Sequence, residues 1–118
     1  MLPLPKQGQI WLVEFPPTLE DRKPIRPCLV ISDNIQNEYG KWIVVIALTT
    51  EDIGNIEPFE VFVKNTKETG LDKPSKVLLQ RVRAVEKELR LINYLGEVDK
   101  ETMKEVEKAL KTVLDLED

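Results

Sequence analysis

The stretch WIVVIALT, from Trp42 to Thr49, is the most apolar run in this chain of 118 residues. β-branched and aromatic residues favour strands, and a run without polar alternation is typical of a strand buried on both faces. The run is much shorter than the ~18–20 residues of a membrane span. The sequence therefore predicts a central strand over Trp42–Thr49 and no transmembrane segment.

Four other β-rich runs surround this strand and are separated by segments that contain proline, glycine, asparagine or aspartate. They are Gln9–Phe15, Arg26–Ser32, Phe59–Lys64 and Lys76–Val85. Because Pro27 has no N–H for a strand ladder, we place it at the start of its strand or at an edge. Asp33–Asn34 and Asn37–Gly40 predict turns. In the last run, alternation predicts that five residues share one side: Val77, Leu79, Arg81, Arg83 and Val85.

The C-terminal segment has the pattern of an amphipathic helix. Asp99 can cap this helix, and Glu101 lies in the first turn, where the helix dipole favours negative charge. Apolar residues recur at spacings of three and four: Met103, Val106, Leu110, Val113 and Leu114. A short helical turn is also predicted near Lys87–Leu91. Successive strands followed by a helix predict one α+β domain over residues 1–118, with a strongly bent antiparallel sheet or open barrel.

The composition excludes several classes of function. The chain has no histidine, so Ser-His-Asp catalysis, Cys-His catalysis and histidine-ligated zinc are all excluded. Its single cysteine, Cys28, excludes an internal disulfide and multi-cysteine metal sites, and its apolar surroundings predict a buried side chain. No acidic group matches the spacing of a metal loop, so neither a metal nor another cofactor is expected. The start, MLPLPK, lacks the apolar core of a secretory signal, which makes the cytoplasm the expected compartment.

Charge is unevenly distributed along the chain. The net charge of −4 argues against a protein that coats nucleic acid through bulk charge. Residues 64–90 nevertheless hold 8 basic and 4 acidic residues, whereas residues 97–118 hold 4 basic and 8 acidic ones. A basic middle segment of this kind is compatible with a local anion site and also with an ordinary solvated surface.

Two positions in the sequence are candidates for chemistry. Arg26 precedes Pro27, which restricts the arginine backbone to extended geometry where a charged loop enters a strand. Its guanidinium can bind a phosphate there, and an ion pair with Glu20–Asp21 is the alternative, structural role. Thr49 and Thr50 end the apolar strand, where a hydroxyl either reaches a site at the rim of the sheet or only terminates the strand.

Five segments together resemble, in this order and over nearly the whole chain, the MazF/PemK family of toxin endoribonucleases. They are GQIWLVEF (8–15), IRPCLVIS (25–32), WIVVIALTT (42–50), GLDKPSKVLLQRVRAVEK (70–87) and LGEVDKETMKEVEKALKTVLDL (95–116). The resemblance implies a small SH3-like β-barrel with a C-terminal helix. It also implies a homodimer that cleaves single-stranded mRNA without a metal, as the toxin of a type II toxin-antitoxin system, and that is neutralised by a cognate antitoxin.

The resemblance further implies roles for individual residues. The family's catalytic arginine precedes the proline of the second strand and falls on Arg26, and its catalytic threonine falls on Thr49. RNA supplies its own nucleophile, the 2′-OH, so the protein need only orient the phosphate and stabilise charge. The expected products are a 2′,3′-cyclic phosphate and a 5′-OH. Five further residues are expected to contact RNA: Arg22, Lys23, Thr50, Gln80 and Arg81.

Two segments depart from the family pattern. The loop TLEDRKPI (18–25) lacks the glycines that relatives often carry, and Gln80–Arg81 stands where many members have Glu-Gln. Arg81 is expected to add a phosphate contact or to change sequence preference. Members of the wider superfamily poison DNA gyrase without nuclease activity, so a non-catalytic binding protein of the same fold is the alternative function. The basic residues around Arg26 imply an antitoxin tail that is acidic and carries apolar anchors.

Overall fold

The structure, a computed structural model, describes residues 3–19 and 24–117. Its elements are β1 (Gln9–Glu14), β2 (Ile25–Val30), α1 (Asn34–Tyr39), β3 (Trp42–Thr49), β4 (Glu60–Val63), β5 (Ser75–Glu86), α2 (Lys87–Arg90), β6 (Leu91–Glu97) and α3 (Lys100–Leu114). All strand pairs are antiparallel, and the sheet has the order β4-β5-β3-β2-β1-β6. The predicted central strand over Trp42–Thr49 is therefore confirmed.

Two elements differ from the sequence-based prediction. The turns predicted at Asp33–Asn34 and Asn37–Gly40 are instead parts of helix α1 (Asn34–Tyr39) and its capping residues, and the Asp33 carboxylate caps the helix by accepting a hydrogen bond from the Ile35 N–H (2.7 Å). The sequence predicts no strand after α2, yet Leu91–Glu97 forms the edge strand β6 and pairs with β1. The predicted helical turn before β6 is present as α2.

The sheet carries an apolar cluster on each face, since successive residues of a strand point to opposite sides. The helix-side cluster lies against α3 and contains Ile10, Leu29, Ile46, Leu48, Val61, Val63, Val77, Leu79, Val98, Val106 and Ala109. The opposite cluster contains Trp11, Val13, Phe15, Cys28, Val30, Ile43, Val45, Ala47, Val85 and Leu91. Strand β3 contributes to both, as predicted for a strand buried on both faces. Cys28 is buried, which confirms its predicted environment.

A register shift divides β5 between the two clusters. Ile46 of β3 pairs with Val82, whereas Leu48, two residues later, pairs with Val77. Between these two pairs the chain therefore advances five residues along β5 but only two along β3. The unbroken alternation predicted for this strand is therefore wrong: Val77 lies in the helix-side cluster and Val85 in the opposite one. Such bulges bend a strand and re-aim its side chains.

The loop between β4 and β5 bridges the two edges of the sheet. The N–H of Glu97, in edge strand β6, donates to the carbonyl of Glu68 in this loop (2.9 Å). A Cβ at Gly96 would lie 2.2 Å from that same carbonyl oxygen, so the approach requires glycine. The sheet is therefore an open barrel that a loop closes, in agreement with the predicted architecture.

Helix α3 has the predicted cap and most of the predicted stripe, since Met103, Leu110 and Val113 are partly buried against the helix-side cluster, but Leu114 is 50% exposed at the last turn and its predicted burial is wrong. The Asp99 carboxylate accepts a hydrogen bond from the Thr102 N–H (2.8 Å), and this bond lowers the pKa of Asp99. Val106 and Ala109 are buried against the sheet. Within the described ranges, no helix has the length and apolar character needed to cross a bilayer.

Candidate functional site

Arg26 lies near the start of β2 and is only 8% exposed. Its guanidinium donates a hydrogen bond from Nη2 to the Leu48 carbonyl (2.9 Å), near the end of β3. The β2–β3 ladder ends at the pair Cys28–Ala47, and the same register two residues further places Arg26 opposite Thr49. The structure therefore brings the two predicted catalytic residues to one end of the sheet.

The sequence around Arg26 explains how this position is reached. Pairing between β2 and β3 starts at Cys28, one residue after Pro27, so the proline takes no part in that ladder. This agrees with its predicted place near the strand start. The alternative ion-pair partners, Glu20–Asp21, and the predicted RNA contacts Arg22 and Lys23 lie outside the described residues.

Thr49 is the last residue of β3 and is partly buried. Its hydroxyl oxygen accepts a hydrogen bond from the Glu51 N–H (3.1 Å) in the loop that follows. A hydroxyl that accepts in this way keeps its own proton for donation, so Thr49 is able to donate to a phosphate oxygen. The neighbouring Thr50 lies just beyond the strand and is exposed.

Gln80 and Arg81 fall within the register shift of β5, and both are exposed. Pairs on either side of the shift show that β5 runs beside β3, the strand that carries Thr49. Bulges occur often next to active sites, where they redirect side chains. Both predicted RNA contacts are accessible to solvent, and Gln80 also forms a hydrogen bond with the Glu60 carboxylate of β4.

Arg83 is a cation of this region that the sequence interpretation did not select as a site residue. It pairs with Val45 of β3, and its guanidinium carbon lies 4.3 Å from the centroid of the Phe15 ring. A guanidinium over an aromatic face gains a cation–π interaction while its N–H groups stay available. Its place in the basic segment 64–90 was the available signal.

A buried ion pair lies next to Thr49, and the sequence interpretation missed it. The Lys76 ammonium is 2.9 Å from Glu60 Oε1, with the two side chains 5% and 7% exposed. The same ammonium donates to the carbonyls of Asp52 (3.0 Å) and Asn55 (2.9 Å) in the β3–β4 loop. A lysine at the start of a strand is typical of a solvated surface, and its partners here lie 16–24 residues away, so no local pattern indicates this pair.

Burial and hydrogen bonding act on Glu60 in opposite directions. Burial raises the pKa of its carboxyl. Hydrogen bonds from Lys76, the Glu57 N–H and Gln80, together with the positive charge of Lys76, lower the pKa by more than burial raises it. The pKa of Glu60 therefore lies below its ordinary value of 4.5. Glu60 is thus ionised at neutral pH and paired with Lys76.

Acid should remove the contribution of Glu60 to stability. Because the pKa of this carboxyl is lower in the folded state, its contribution is fully present above the ordinary pKa and is lost as pH falls through the folded one. The difference in unfolding free energy between the native protein and Glu60→Gln should therefore be constant above about pH 6 and shrink below about pH 4. Urea unfolding at a series of pH values measures it, and a difference that does not change with pH would contradict the pairing.

Together these residues form a region suited to an anion. Arg26 supplies a fixed positive charge, Thr49 a hydroxyl donor, and Arg81 and Arg83 exposed charges on neighbouring β5. Guanidinium groups bind phosphate through paired donors. Among residues 3–19 and 24–117, no three side chains of the metal-ligating types Asp, Glu and Cys lie together.

Comparison with known proteins identifies the family of the chain. A family model described as PemK-like, MazF-like toxin of type II toxin-antitoxin system matches residues 6–114. Endoribonuclease EndoA of Bacillus subtilis (strain 168) is 29% identical over 114 residues, which cover 96% of this chain and 97% of EndoA. The activity in that name is the one that the sequence resemblance predicts.

Solved structures share the fold. An endoribonuclease in complex with its cognate antitoxin, from Mycobacterial species, has a TM-score of 0.79 at 25% identity, covering 97% of this chain and 98% of that chain. A MazE-MazF complex (Form-II) from Deinococcus radiodurans has a TM-score of 0.76 at 20% identity, covering 98% of this chain and 100% of that chain. These likenesses confirm the predicted MazF-type α+β fold. Since the family model spans residues 6–114, the chain belongs to the PemK-like, MazF-like toxins of type II toxin-antitoxin systems.

Proposed function

We propose that this toxin is a metal-independent, sequence-specific endoribonuclease that cleaves single-stranded mRNA through attack by the 2′-OH. The observation that carries the proposal is the position of Arg26, whose guanidinium is hydrogen-bonded to the carbonyl of Leu48, the residue before Thr49. The similarity to EndoA, named as an endoribonuclease, supports the reaction class. We place the activity in the cytoplasm, where mRNA is present.

The proposed reaction uses the chemistry of RNA itself. The 2′-oxygen forms a bond to phosphorus, the bond from phosphorus to the 5′-oxygen breaks, the 2′-OH loses a proton and the 5′-oxygen gains one. Arg26 stabilises the negative charge that develops on the phosphate, and Thr49 donates a hydrogen bond that orients it. The products are a 2′,3′-cyclic phosphate and a 5′-OH.

Further residues hold the strand that carries the scissile phosphate. Thr50, Gln80 and Arg81 are exposed, and we assign Arg81 a contact with a flanking phosphate. Arg22 and Lys23 belong to the same proposal, although they lie outside the described residues. These contacts position the RNA. Sequence specificity comes from contacts between the protein and unstacked bases beside them.

The near-complete burial of Arg26 favours a second candidate function. The burial of Arg26 and its bond to a strand carbonyl are also explained by a purely structural role, in which the arginine holds the ends of β2 and β3 together. The protein would then be a non-catalytic toxin or binding protein of the same fold, for example one directed at DNA gyrase.

Cleavage in EDTA decides between the two candidates. Single-stranded RNA incubated with the protein and excess EDTA should be cut at defined sites, leaving 5′-OH ends that polynucleotide kinase labels without prior phosphatase treatment. Intact RNA would favour the binding protein, and 5′-phosphate ends would contradict attack by the 2′-OH.

We also propose that the toxin is a homodimer and that a cognate antitoxin neutralises it. Solved relatives include an endoribonuclease bound to its cognate antitoxin and a MazE-MazF complex. The positive charge of Arg26, Arg81 and Arg83 in a protein of net charge −4 favours an antitoxin tail that is acidic and has apolar anchors. Such a tail would occupy the surface that binds RNA.

Shared occupancy predicts competition. A non-cleavable 2′-deoxy analogue of the substrate and the acidic tail peptide should displace each other, and both affinities should fall as salt rises. Fluorescence anisotropy at several salt concentrations measures this. Simultaneous binding without mutual weakening, or affinities indifferent to salt, would contradict a shared electrostatic surface.

A further inference from the structure

Lys76 has no place in the reaction proposed above, yet its ammonium group makes a complete set of hydrogen bonds. Its three donors meet three acceptors: Glu60 Oε1 at 2.9 Å and the carbonyls of Asp52 at 3.0 Å and Asn55 at 2.9 Å. The residue is 4% exposed. A lysine with all of its donors used inside the protein is not available to bind RNA directly.

The bonds of Lys76 fix the loop that follows Thr49. The backbone of Asp52 has a φ of 52°, in the left-handed region that residues other than glycine rarely adopt. Its carbonyl is one of the two that Lys76 holds, and Asn55 carries the other. The ammonium thus holds together a turn whose backbone conformation is otherwise unfavourable.

That loop in turn fixes the hydroxyl of Thr49. The residue before Asp52 is Glu51, whose N–H donates to Thr49 Oγ1 (3.1 Å). Lys76 is also the residue that faces Thr49 across the β3–β5 ladder. A continuous set of contacts therefore runs from the buried ammonium, through the loop backbone, to the threonine side chain.

Stability alone is a weak reason for this arrangement. Replacing a buried ion pair with neutral side chains of similar size is often neutral or even stabilising, because burial of the charges costs much of what their attraction contributes. The Lys76–Glu60 pair is therefore better explained by what it holds in place.

We propose that Lys76, held by Glu60, is a positioning residue that sets the direction of the Thr49 hydroxyl through the loop 50–55. This inference rests on the proposed role of Thr49 in cleavage. It extends that role to residues that touch no substrate, and it assigns the β3–β4 loop the task of orienting the donor.

The test removes both charges together, since a single substitution would leave its partner buried and unpaired. In Lys76→Met/Glu60→Gln the methionine replaces the lysine stem, and the glutamine still accepts the Glu57 N–H that now bonds Glu60 (3.0 Å). The matched control is Lys41→Met/Glu86→Gln, which removes a more exposed ion pair (3.2 Å) at the other end of β3. Both double substitutions are made in the native protein and in the Thr49→Ala variant.

We expect the Lys76→Met/Glu60→Gln variant to lose about tenfold in kcat per folded molecule, with KM for RNA changed less than about twofold, because misplaced catalytic groups lower kcat. In the Thr49→Ala background the same double change should lower kcat no further. The salt dependence of RNA binding should not change, since Lys76 contacts no phosphate. The control pair should leave kcat unchanged in both backgrounds.

Two kinetic outcomes would overturn the inference: an unchanged kcat in the native background, or equal losses in both backgrounds. The single Thr49→Ala variant distinguishes failure of this inference from failure of the proposed function. If that variant has the native kcat, the proposed role of Thr49 itself is rejected. Amide hydrogen exchange at Glu51 needs no activity and gives an independent result. Faster exchange in the Lys76→Met/Glu60→Gln variant supports the positioning role, and unchanged protection overturns it.

Discussion

Replacing Arg26 with alanine is expected to slow RNA cleavage by ~10²–10³-fold per folded molecule. A charged donor at the developing charge of the phosphate contributes about as much as an oxyanion-hole group, ~3–4 kcal/mol of transition-state stabilisation. The same change removes the donor from the Leu48 carbonyl, so a loss of stability accompanies it. Single-turnover kinetics, corrected for the folded fraction from urea unfolding, separates the two effects.

Two further variants make the Arg26 result specific. Lys108→Ala removes one positive charge from the exposed side of α3 and should leave the rate unchanged. Arg26→Lys keeps the charge but loses the paired donors of guanidinium, so an intermediate rate is expected. A native rate per folded Arg26→Ala molecule, combined with lower stability, would show that Arg26 only braces the strand ends.

Replacing Trp11 with alanine should lower the free energy of unfolding by ~3–5 kcal/mol, the usual range for a large buried aromatic residue. Trp11 is 1% exposed, its ring packs edge-on against Tyr94 with centroids 5.8 Å apart, and its Nε1–H donates to Gln9 Oε1 (2.9 Å). Its loss leaves a cavity in the opposite cluster and removes one of the two donors to Gln9 Oε1, the other being the Lys6 N–H.

Trp42 offers the matched control, because the chain has two tryptophans and Trp42 is 51% exposed. Trp42→Ala should change the free energy of unfolding by less than about 0.5 kcal/mol. Urea denaturation of both variants at one protein concentration measures the difference. Similar losses for the two variants would contradict the assignment of Trp11 to the core.

The parts of the fold that the sequence predicts are those with local patterns. The unbroken apolar run Trp42–Thr49 and the three-and-four spacing of α3 each contain their own signal. Strand β6 does not, since Asn93 and Gly96 interrupt its apolar residues and its pairing depends on β1, far away in sequence. The bulge in β5 left a trace in the sequence, where polar Gln80 and Arg81 separate the apolar run Val77–Leu79 from Val82, but its size is visible only in the pairing with β3.

In the site, too, the residues with a local sequence signal were predicted and those that depend on distant contacts were not. Arg26 and Thr49 stand out by position, one before a proline and one at the end of a strand, and the family resemblance gives them roles. Their register could not be predicted, because it depends on which strands become neighbours. Lys76 escaped prediction because its acceptors, such as the Asp52 carbonyl, lie in another part of the chain.

Strand β5 has a consequence for how the molecule unfolds. Its first half packs in the helix-side cluster through Val77, its second half packs in the opposite cluster through Val85, and one backbone connects them. Neither cluster can melt without releasing the strand that completes the other. The two therefore form a single cooperative unit, and amide protons in both halves of β5 should exchange through the same global opening. A substitution in the cluster remote from Arg26 would then lower the population of active toxin as directly as one beside it.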